Sequence, residues 1–313
     1  MNIEKLDTNI IYDVLIIGGG PAGLNAALYA KRKGLVTGLI SERSGGQVLD
    51  TSSVENYLGY RSISGVELAE DFKKHVDSLD IPREDRPAIS LKLENTIKEV
   101  ILEDDISYKS KSIIIATGSK PRKLNVEGEE DFSGRGLTYC AICDGPMFME
   151  EDVIVAGGGN SAVEAALDMA KIANTVTIVH RSEFRADQVL IDELEKLDNV
   201  KVHLNTQILK ISGDMLVEKI QVHDKEKDQV YEIEAGGLFV EIGHLANNSL
   251  FKDILELNDQ GEIIVDKYGR TNIKGVFAAG DVTEVPYKQI IMAAGDGAKS
   301  ALAVNDYLKT LNL

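Results

Sequence analysis

The chain has 313 residues, a length typical of about two domains, and its 43% hydrophobic and 27% charged residues are typical of a globular protein. The formal net charge of −17 argues against binding to nucleic acid, because such a surface repels phosphate backbones. Residues 1–12 lack the apolar core of a secretory signal, and glycine and proline interrupt the apolar run 14–30. We therefore expect a cytoplasmic protein with no membrane span.

The first part of the chain predicts a strand, a glycine-rich turn, a helix and a second strand. These elements cover residues 13–17, 18–23, 24–33 and 36–41. The turn reads GGGPAG, the G-x-G-x-x-G pattern of dinucleotide-binding folds. In that pattern Gly18 permits a tight turn, Gly20 lets the backbone approach a pyrophosphate, and Gly23 lets the helix pack closely on the sheet. Glu42 follows the second strand, where an acid can accept hydrogen bonds from a ribose.

The segment after this unit carries weaker signals. Residues 45–57 contain glycines and short polar side chains, which could wrap a flat ring system or form an ordinary surface turn. Residues 66–79 predict an amphipathic helix, and residues 81–108 predict a β-meander. Residues 112–118 predict a buried strand that returns to the first sheet. We place a domain crossing near Arg122.

Cys140 and Cys143 are the only cysteines in the sequence. Their C-x-x-C spacing allows a thiolate and a resolving partner to close a disulfide, and it can lower the pKa of a thiol. A structural disulfide, a zinc site and two inert buried thiols are the alternatives. Zinc would need four ligands, and no second cysteine pair or Cys/His cluster exists to complete the set. Because Asp144 and residues 145–146 make a polar, turn-rich setting, the pair favours redox chemistry.

A repeat of the first unit follows the cysteines. Residues 152–167 match residues 13–28 at eight positions when the sequence is shifted by 139. The repeated turn reads GGGNSA and includes Gly157, Gly159, Asn160, Ser161 and Ala162. A second strand–turn–helix of this kind predicts a second dinucleotide-binding unit.

The strand after this second turn, residues 175–179, ends in a different set of side chains. His180 and Arg181 replace the acid of the first unit, and Arg185 lies close in sequence. Such groups suit a 2′-phosphate better than a ribose hydroxyl, which favours NADPH. The alternative is a surface strand end with unrelated charges.

The remaining segments complete the two predicted sheets. Residues 200–233 predict alternating strands, and residues 236–243 predict a buried strand like residues 113–118. Near the end, residues 275–282 predict a strand that places Asp281 at its carboxyl end, where a carboxylate can bond a polyol hydroxyl. A long closing helix follows.

These elements predict an α/β fold with two Rossmann-like dinucleotide-binding domains of the three-layer ββα type, the second inserted into the first. The domains are residues 1–121 with 248–313, and residues 122–247. A C-x-x-C between two nucleotide sites indicates a relay from a nicotinamide through a flavin to a disulfide.

Over nearly its whole length the chain resembles the low-molecular-weight thioredoxin reductases and the homologous flavoprotein subunit of alkyl hydroperoxide reductase. The matching runs are residues 18–23, 45–48, 115–118, 140–145, 157–162 and 276–281. The resemblance implies FAD in the first, discontinuous domain and a pyridine nucleotide in the inserted domain. It also implies a homodimer, an inserted domain that rotates, and thioredoxin or a thioredoxin-like protein as the partner.

The resemblance also implies a role for each matching residue. Cys143 would face the flavin, Cys140 would exchange with the substrate disulfide, and Asp144 would act as general acid/base for the leaving thiolate. The nucleotide contacts in the first domain would come from Gly18, Gly20, Pro21, Ala22, Gly23, Glu42, Gly46, Gln47, Val48, Asn56, Thr117, Gly118, Gly280, Asp281, Gln289 and Ile290. Those in the inserted domain would come from Gly157, Gly159, Asn160, Ser161, Ala162, His180, Arg181 and Arg185.

Three departures keep the electron donor open. Residues 180–185 read HRSEFR, one residue short of the reductases' His-Arg-Arg-x-x-x-Arg signature for NADPH, and residues 243–247 lack the proline of Gly-His-x-Pro-Asn. Residues 186–190 and 285–291 look more like the hydroperoxide reductase flavoprotein, which uses NADH and carries an N-terminal thioredoxin-like extension. NADPH is the expected donor, with NADH or ferredoxin as alternatives. A flavin-binding regulatory or scaffold protein whose cysteines sense redox state is the alternative outside enzymes.

Overall fold

The computed structural model describes residues 4–51 and 54–311. The chain divides into two compact units. The first unit is Met1–Lys120 with Leu245–Leu313, and the second unit is Pro121–His244. The second unit is therefore inserted into the first.

Helices and strands are numbered in chain order. The α-helices of the described residues are α1 (Pro21–Arg32), α2 (Gly65–Asp77), α3 (Glu129–Phe132), α4 (Ala141–Asp144), α5 (Asn160–Met169), α6 (Gln188–Leu194) and α7 (Ile290–Thr310). The strands are β1 (Ile11–Tyr12), β2 (Val14–Ile17), β3 (Thr37–Ile40), β4 (Arg83–Glu84), β5 (Ala88–Lys92), β6 (Lys98–Leu102), β7 (Ser107–Ser110), β8 (Ile113–Ile115), β9 (Ser119–Pro121), β10 (Leu137–Thr138), β11 (Asp152–Ala156), β12 (Thr175–Val179), β13 (Val200–His203), β14 (Thr206–Ser212), β15 (Lys219–Asp224), β16 (Gln229–Glu234), β17 (Gly237–Val240), β18 (His244–Ala246) and β19 (Val276–Ala278).

The first unit has three layers. A parallel sheet of order β19-β8-β2-β3-β4 lies between helices on one face and the sheet β1-β7-β6-β5 on the other. The sheet needs a layer on each side because alternate side chains of a strand such as β2 point to opposite faces, and both sets are apolar here. Val14 and Ile16 pack in one cluster with α1 and α7, whereas Leu15 and Ile17 pack in another with Val100 of the meander.

The second unit repeats this arrangement. Its parallel sheet has the order β10-β17-β11-β12-β13, and a separate antiparallel sheet has the order β14-β15-β16. Val153 and Val155 of β11 pack with α5, whereas Ile154 and Ala156 pack with the antiparallel sheet. The predicted fold class, two Rossmann-like units of the ββα type, is confirmed.

Some local predictions need correction. Only β5, β6 and β7 form the meander predicted over residues 81–108, because β4 pairs in parallel with β3 of the other sheet. Helix α1 begins at Pro21 rather than at residue 24, and proline is favoured at a first helical position. Among the helices of the described residues, none combines the length and the apolar character that crossing a membrane requires.

Candidate active site

The glycine turn of the first unit requires glycine at both of its tight positions. Gly18 has φ +117°, and a Cβ there would lie 2.1 Å from the carbonyl oxygen of Ala116. A Cβ on Gly23 would lie 1.9 Å from the carbonyl oxygen of Gly18. The turn is thus held against the end of β8, and Pro21 opens α1 immediately after it.

Other predicted flavin contacts lie beside this turn. Gly46 faces Gly20, because a Cβ on Gly46 would lie 2.9 Å from the Cα of Gly20. The side-chain nitrogen of Gln47 lies 4.0 Å from the position of a Cβ on Gly118. The loop after β3 and the loop after β8 therefore meet at the carboxyl edge of the parallel sheet, where ligands bind in open α/β folds.

Two of the predicted contacts, Val48 and Ile290, lie in one apolar cluster. Val48 is buried in a small cluster with Val54, Leu68 and Ala69, and Ile290 at the start of α7 packs against the same cluster. This packing connects the loop after β3 to the closing helix.

Asp281 has the property expected of a residue that binds a polyol. Gly280, at φ +74°, lies close enough to α1 that a Cβ there would lie 2.9 Å from the Cβ of Ala22. The adjacent Asp281 has a buried Oδ1 with no hydrogen-bond partner among the described residues. Burial raises the pKa of this carboxyl to about 6, against an opposing effect of Lys288. A buried acceptor without a partner fits a ligand hydroxyl.

The remaining predicted residues of the first unit form side-chain hydrogen bonds or are exposed. Thr117 and Asn247 exchange two hydrogen bonds: the Thr117 hydroxyl donates to the Asn247 carbonyl at 3.0 Å, and the Asn247 side chain donates to the Thr117 carbonyl at 2.9 Å. The Asn56 amide donates to the Gln289 side-chain oxygen at 3.1 Å. Glu42 is exposed two residues after β3.

The glycine turn of the second unit has the same contact with its own sheet. Gly157 has φ +150°, and a Cβ there would lie 2.2 Å from the carbonyl oxygen of Glu241, after β17, and 2.7 Å from the Cβ of Ala162. A Cβ on Gly159 would meet no atom within 4 Å. This open position directly precedes α5, where a pyrophosphate would face free N–H groups.

The loop after β12 folds back over this turn. The N–H of Arg185 donates to the Gly158 carbonyl at 2.7 Å. Arg181 and Arg185 are exposed, but His180 is buried, and a Cβ on Gly158 would lie 2.3 Å from its ring. Burial, followed by Arg185 and Arg181, lowers the pKa of His180. A neutral His180 therefore supports the turn, with one ring nitrogen 3.2 Å from the Ser182 hydroxyl.

Asn160 and Ser161 begin α5. The Asn160 side chain accepts from the Asp187 N–H at 2.9 Å and donates to the Asp187 carboxylate at 2.9 Å, whereas Ser161 is exposed. Asp187 thus orients Asn160, a contact that the sequence pattern did not reveal.

Cys140 and Cys143 form a disulfide across the short helix α4. The pair excludes the alternative of two inert thiols. No group of three or more metal-binding side chains occurs in the part of the chain that the structure describes. Both residues are partly exposed, and the N–H of Cys143 donates to the Cys140 sulfur at 3.2 Å. An N–H directed at a sulfur favours its thiolate after reduction.

Asp144 lies in the same turn. Its carboxyl accepts a hydrogen bond from the Thr138 hydroxyl, and the Thr138 oxygen accepts from the Cys140 N–H at 3.2 Å. Burial raises the pKa of Asp144, while the Thr138 hydrogen bond lowers it. A partly buried carboxyl with a raised pKa can hold a proton close to the cysteines.

Glu241 is a neighbour of this turn that the sequence analysis did not single out. It follows β17, and its carboxyl accepts from the N–H of Ala141 at 3.2 Å. Burial raises the pKa of Glu241 to about 7, against an opposing effect of the Ala141 hydrogen bond.

Comparisons with known proteins agree with this geometry. The pyridine nucleotide-disulphide oxidoreductase family matches residues 12–298. The chain belongs to this family. It is 46% identical over 311 residues to an alkyl hydroperoxide reductase subunit of Escherichia coli K12, covering 97% of this chain and 60% of that protein. It is 44% identical over 298 residues to an NADH dehydrogenase of Bacillus subtilis 168, covering 95% and 58%. The chain thus spans about 60% of the length of the curated relatives it matches.

Among solved structures, the thioredoxin reductase from Streptococcus pyogenes MGAS5005 matches with a TM-score of 0.90 and 38% identity, covering 97% of this chain and all of that one. The resemblance to thioredoxin reductases is confirmed. This oxidoreductase family uses FAD and NAD(P)H. The residues present fit both groups: the buried Asp281 oxygen has no hydrogen-bond partner within residues 4–51 and 54–311, and the Gly159 position is open.

Proposed function

We propose that this protein is a flavin-dependent disulfide reductase that passes electrons from a reduced nicotinamide, through FAD, to the Cys140–Cys143 disulfide and then to a thioredoxin-like protein. The observation that carries the proposal is a disulfide-bonded C-x-x-C within a unit that also contains a dinucleotide-type glycine turn. A structural disulfide alone would not require the nucleotide turn, and a redox sensor would not require two of them.

FAD, when bound, supplies the link between hydride transfer and thiol chemistry, since a flavin can exchange electrons with a nicotinamide and with a thiolate. The first unit would hold it. Gly18 and Gly20 would admit the pyrophosphate at the start of α1, Glu42 would meet the adenosine ribose, and the Asp281 oxygen would accept from the flavin's polyol chain. The nicotinamide dinucleotide would bind at Gly157 and Gly159 in the second unit.

The dithiol would act by two exchange steps. The Cys140 thiolate attacks one sulfur of the partner's disulfide; a mixed disulfide forms, and the partner's other sulfur leaves as a thiolate. Asp144 would give that leaving thiolate its proton. The Cys143 thiolate then attacks the Cys140 sulfur, which releases the partner's remaining sulfur as a thiolate that takes a proton from water, and the Cys140–Cys143 disulfide is restored. The two electrons lost by the chain are those that the nicotinamide had supplied.

We propose a thioredoxin-like protein or domain as the partner because the solved neighbours are named thioredoxin reductases. The relatives named as alkyl hydroperoxide reductase subunits suggest that this partner serves a peroxide-reducing system. A homodimer and a rotating inserted domain are further expectations from the resemblance, and each remains a proposal.

We propose NADH as the donor, with NADPH as the second candidate. Two relatives are named NADH dehydrogenase. In the loop that follows His180, the cations Arg181 and Arg185 alternate with the anions Glu183 and Asp187. The loop therefore carries no net charge to attract a 2′-phosphate dianion, although the two exposed arginines favour NADPH taken alone.

The assignment is tested with cysteine variants. Cys140→Ser and Cys143→Ser should each keep bound FAD and its anaerobic bleaching by nicotinamide, yet lose reduction of thioredoxin by at least about 1000-fold, since Cys140 carries out the first exchange step and Cys143 the second. The measurement is thioredoxin-coupled NADH or NADPH oxidation beside the flavin spectrum. Retained turnover in either variant would overturn the proposal.

The donor is decided by anaerobic bleaching with NADH, NADPH and reduced ferredoxin in separate experiments. We expect NADH to exceed NADPH by about tenfold or more in kcat/KM, a difference of about 1.4 kcal/mol. The reverse ratio would favour NADPH, and bleaching by ferredoxin alone would favour the ferredoxin-dependent alternative.

A further inference from the structure

Glu241 is a charged residue at a place where the fold needs only a small one. The two units provide an internal comparison, because each has a strand whose following residue touches the glycine turn. In the first unit this residue is Ala116, whose N–H donates to the Ile17 carbonyl at 2.7 Å. In the second it is Glu241, whose N–H donates to the Ala156 carbonyl at 2.8 Å.

The backbone contacts on the other side are also equivalent. The Ala116 carbonyl oxygen lies 2.1 Å from a Cβ position on Gly18, and that of Glu241 lies 2.2 Å from a Cβ position on Gly157. The same backbone therefore forms with alanine in one unit and with a glutamate in the other. Packing of the sheet does not explain the longer side chain.

The Glu241 side chain reaches the dithiol turn instead. Its carboxyl oxygen lies 3.2 Å from the Ala141 nitrogen, the atom that joins Ala141 to Cys140. From standard bond lengths this oxygen lies within about 6 Å of the Cys140 Cα. One residue thus contacts the nucleotide-binding turn through its backbone and the dithiol turn through its carboxyl.

We propose that Glu241 is a positioning residue of the dithiol, which fixes the backbone at Ala141 and places an ionisable carboxyl beside Cys140. The proposal deepens the proposed function and rests on it for the role of Cys140 as the exchanging sulfur.

The chemistry follows from coupled ionisation. Reduction of the disulfide breaks the S–S bond and takes up two electrons and, when both thiols are neutral, two protons. Because burial raises the pKa of Glu241 to about 7, its carboxyl is mainly neutral below that pH and mainly ionised above it. An ionised Glu241 opposes a thiolate at Cys140, since like charges raise each other's pKa. Glu241 therefore limits thiolate formation on the alkaline side.

Other ionisable groups lie on the neighbouring elements. Asp144 and Cys143 belong to α4 itself, and His180 packs against Gly158 in the adjoining glycine turn. Asp144 has its own partner in Thr138, and His180 has its partner in Ser182. Neither acts on Glu241 strongly enough to appear among the causes of its raised pKa.

The test uses the flavin-loaded full chain carrying Cys143→Ser, in which Cys140 is the only thiol. The rate of Cys140 alkylation by iodoacetamide reports the thiolate fraction, and it needs neither nicotinamide nor a protein partner. Glu241→Gln keeps an oxygen that can accept from Ala141 but removes the charge. We expect this variant to react at the parent's rate at pH 5.5 and about three- to tenfold faster at pH 8.5.

Two further variants make the result specific. Glu241→Ala copies the alanine of the first unit, should therefore fold, and should show the same pH-dependent gain with an added pH-independent change from the lost hydrogen bond. Glu234→Gln, at an exposed glutamate of β16 in the same unit, should match the parent at every pH. The proposal would be overturned if the alkylation rate of Glu241→Gln divided by that of the parent were constant with pH, whether that ratio is one or larger. That outcome would leave thioredoxin reduction, and so the proposed function, untouched.

Discussion

The two glycine turns share a backbone but differ in the side chains around them. In the first unit, the turn at Gly18 is surrounded by uncharged backbone and small residues, and Asp281, whose Oδ1 is buried, follows strand β19 of the same sheet. In the second unit, the turn at Gly157 is bordered by a buried histidine and by Glu241. The repeated backbone therefore provides two glycine turns of the dinucleotide-binding type, and the side chains around the second one connect it to the disulfide turn.

The added segment of the second unit explains this difference. Residues 121–151 precede its first long strand and carry β10, Thr138 and the disulfide, whereas the first unit begins with β1 shortly before its own. Strand β10 pairs with β17, so the dithiol turn is attached to the strand that Glu241 directly follows. The attachment brings Asp144 and Glu241 to the same four-residue helix.

Replacing the first glycine of each turn by alanine should have the largest effects, and the two replacements should abolish different functions. Each Cβ would lie 2.1–2.2 Å from a backbone carbonyl oxygen at positive φ, a clash that costs on the order of 3 kcal/mol or more. We expect Gly18→Ala to purify without flavin. We expect Gly157→Ala to keep its flavin but to lose bleaching by nicotinamide.

The control for this pair is Gly34→Ala, which has φ +78° but no atom within 4 Å of its Cβ position. It should cost about 1 kcal/mol from backbone strain alone and keep both flavin and bleaching. Loss of flavin from Gly157→Ala to the same extent as from Gly18→Ala would show that the two units do not bind their nucleotides independently. Absorbance spectra of purified protein decide between these outcomes.

Repeated, strongly patterned elements were predictable from the sequence. The strands, both glycine turns and the inserted order follow from apolar runs that end in glycine, because few other structures need that combination. Strand β4 was not predictable, since a two-residue strand such as Arg83–Glu84 has no periodicity that could indicate its sheet.

Some residues of the candidate site were also predictable from the sequence, and others were not. The cysteines and the buried Asp281 were identifiable because their spacing or position in the chain indicates their chemistry. Glu241 was not, because its partner Ala141 lies 100 residues away and is chosen by tertiary packing. One signal was available: residues 113–118 and 238–243 are equivalent strand ends, and alignment of IIIATG with LFVEIG places Glu241 opposite Ala116.

Asp144 belongs to the feature that the first unit lacks, and its substitution should have the next largest effect. Asp144→Asn removes the proton donor near the leaving thiolate, so thioredoxin reduction should fall about 100-fold while flavin bleaching is unchanged. In the parent, the rate should fall as pH rises and the acid loses its proton. The variant should lack this dependence.

Thr138→Val provides the matched variant for Asp144. It removes the hydrogen bond that lowers the pKa of Asp144, so the alkaline decline in rate should move to higher pH. A decline at unchanged pH in Thr138→Val would assign the titration to a group other than Asp144. Steady-state rates from pH 5.5 to pH 9 with thioredoxin are sufficient for both variants.

Glu241 should also influence stability, because an ionised carboxyl is costly in its partly buried position. Folding raises the pKa of Glu241. Its favourable contribution to the free energy of unfolding is therefore fully present below about pH 4.5 and is lost as pH rises through about 7. Glu241→Gln should therefore gain about 2 kcal/mol relative to the parent between pH 5 and pH 8.5. Thermal unfolding of the flavin-loaded chains at the two pH values measures this gain. Equal shifts of Tm in both chains would contradict the burial of the charge.

Asp281→Asn tests the corresponding buried carboxyl of the first unit and should have the smallest effect. In the proposed function the ionised carboxyl would accept from the flavin's polyol chain, so in the parent FAD affinity should decline as pH falls below about 6 and the acceptor is protonated. The amide still accepts through one oxygen, and we expect an affinity about tenfold lower that does not change with pH. The fluorescence of flavin released on dilution, recorded at a series of pH values between pH 5 and pH 8, measures the FAD affinity and its pH dependence. Asp253→Asn, at an exposed aspartate, is the control. A pH dependence that persists in Asp281→Asn would mean that the unpartnered oxygen of the first unit does not meet the flavin. In that case neither Asp281 of the first unit nor Glu241 of the second would bind a nucleotide through its carboxyl.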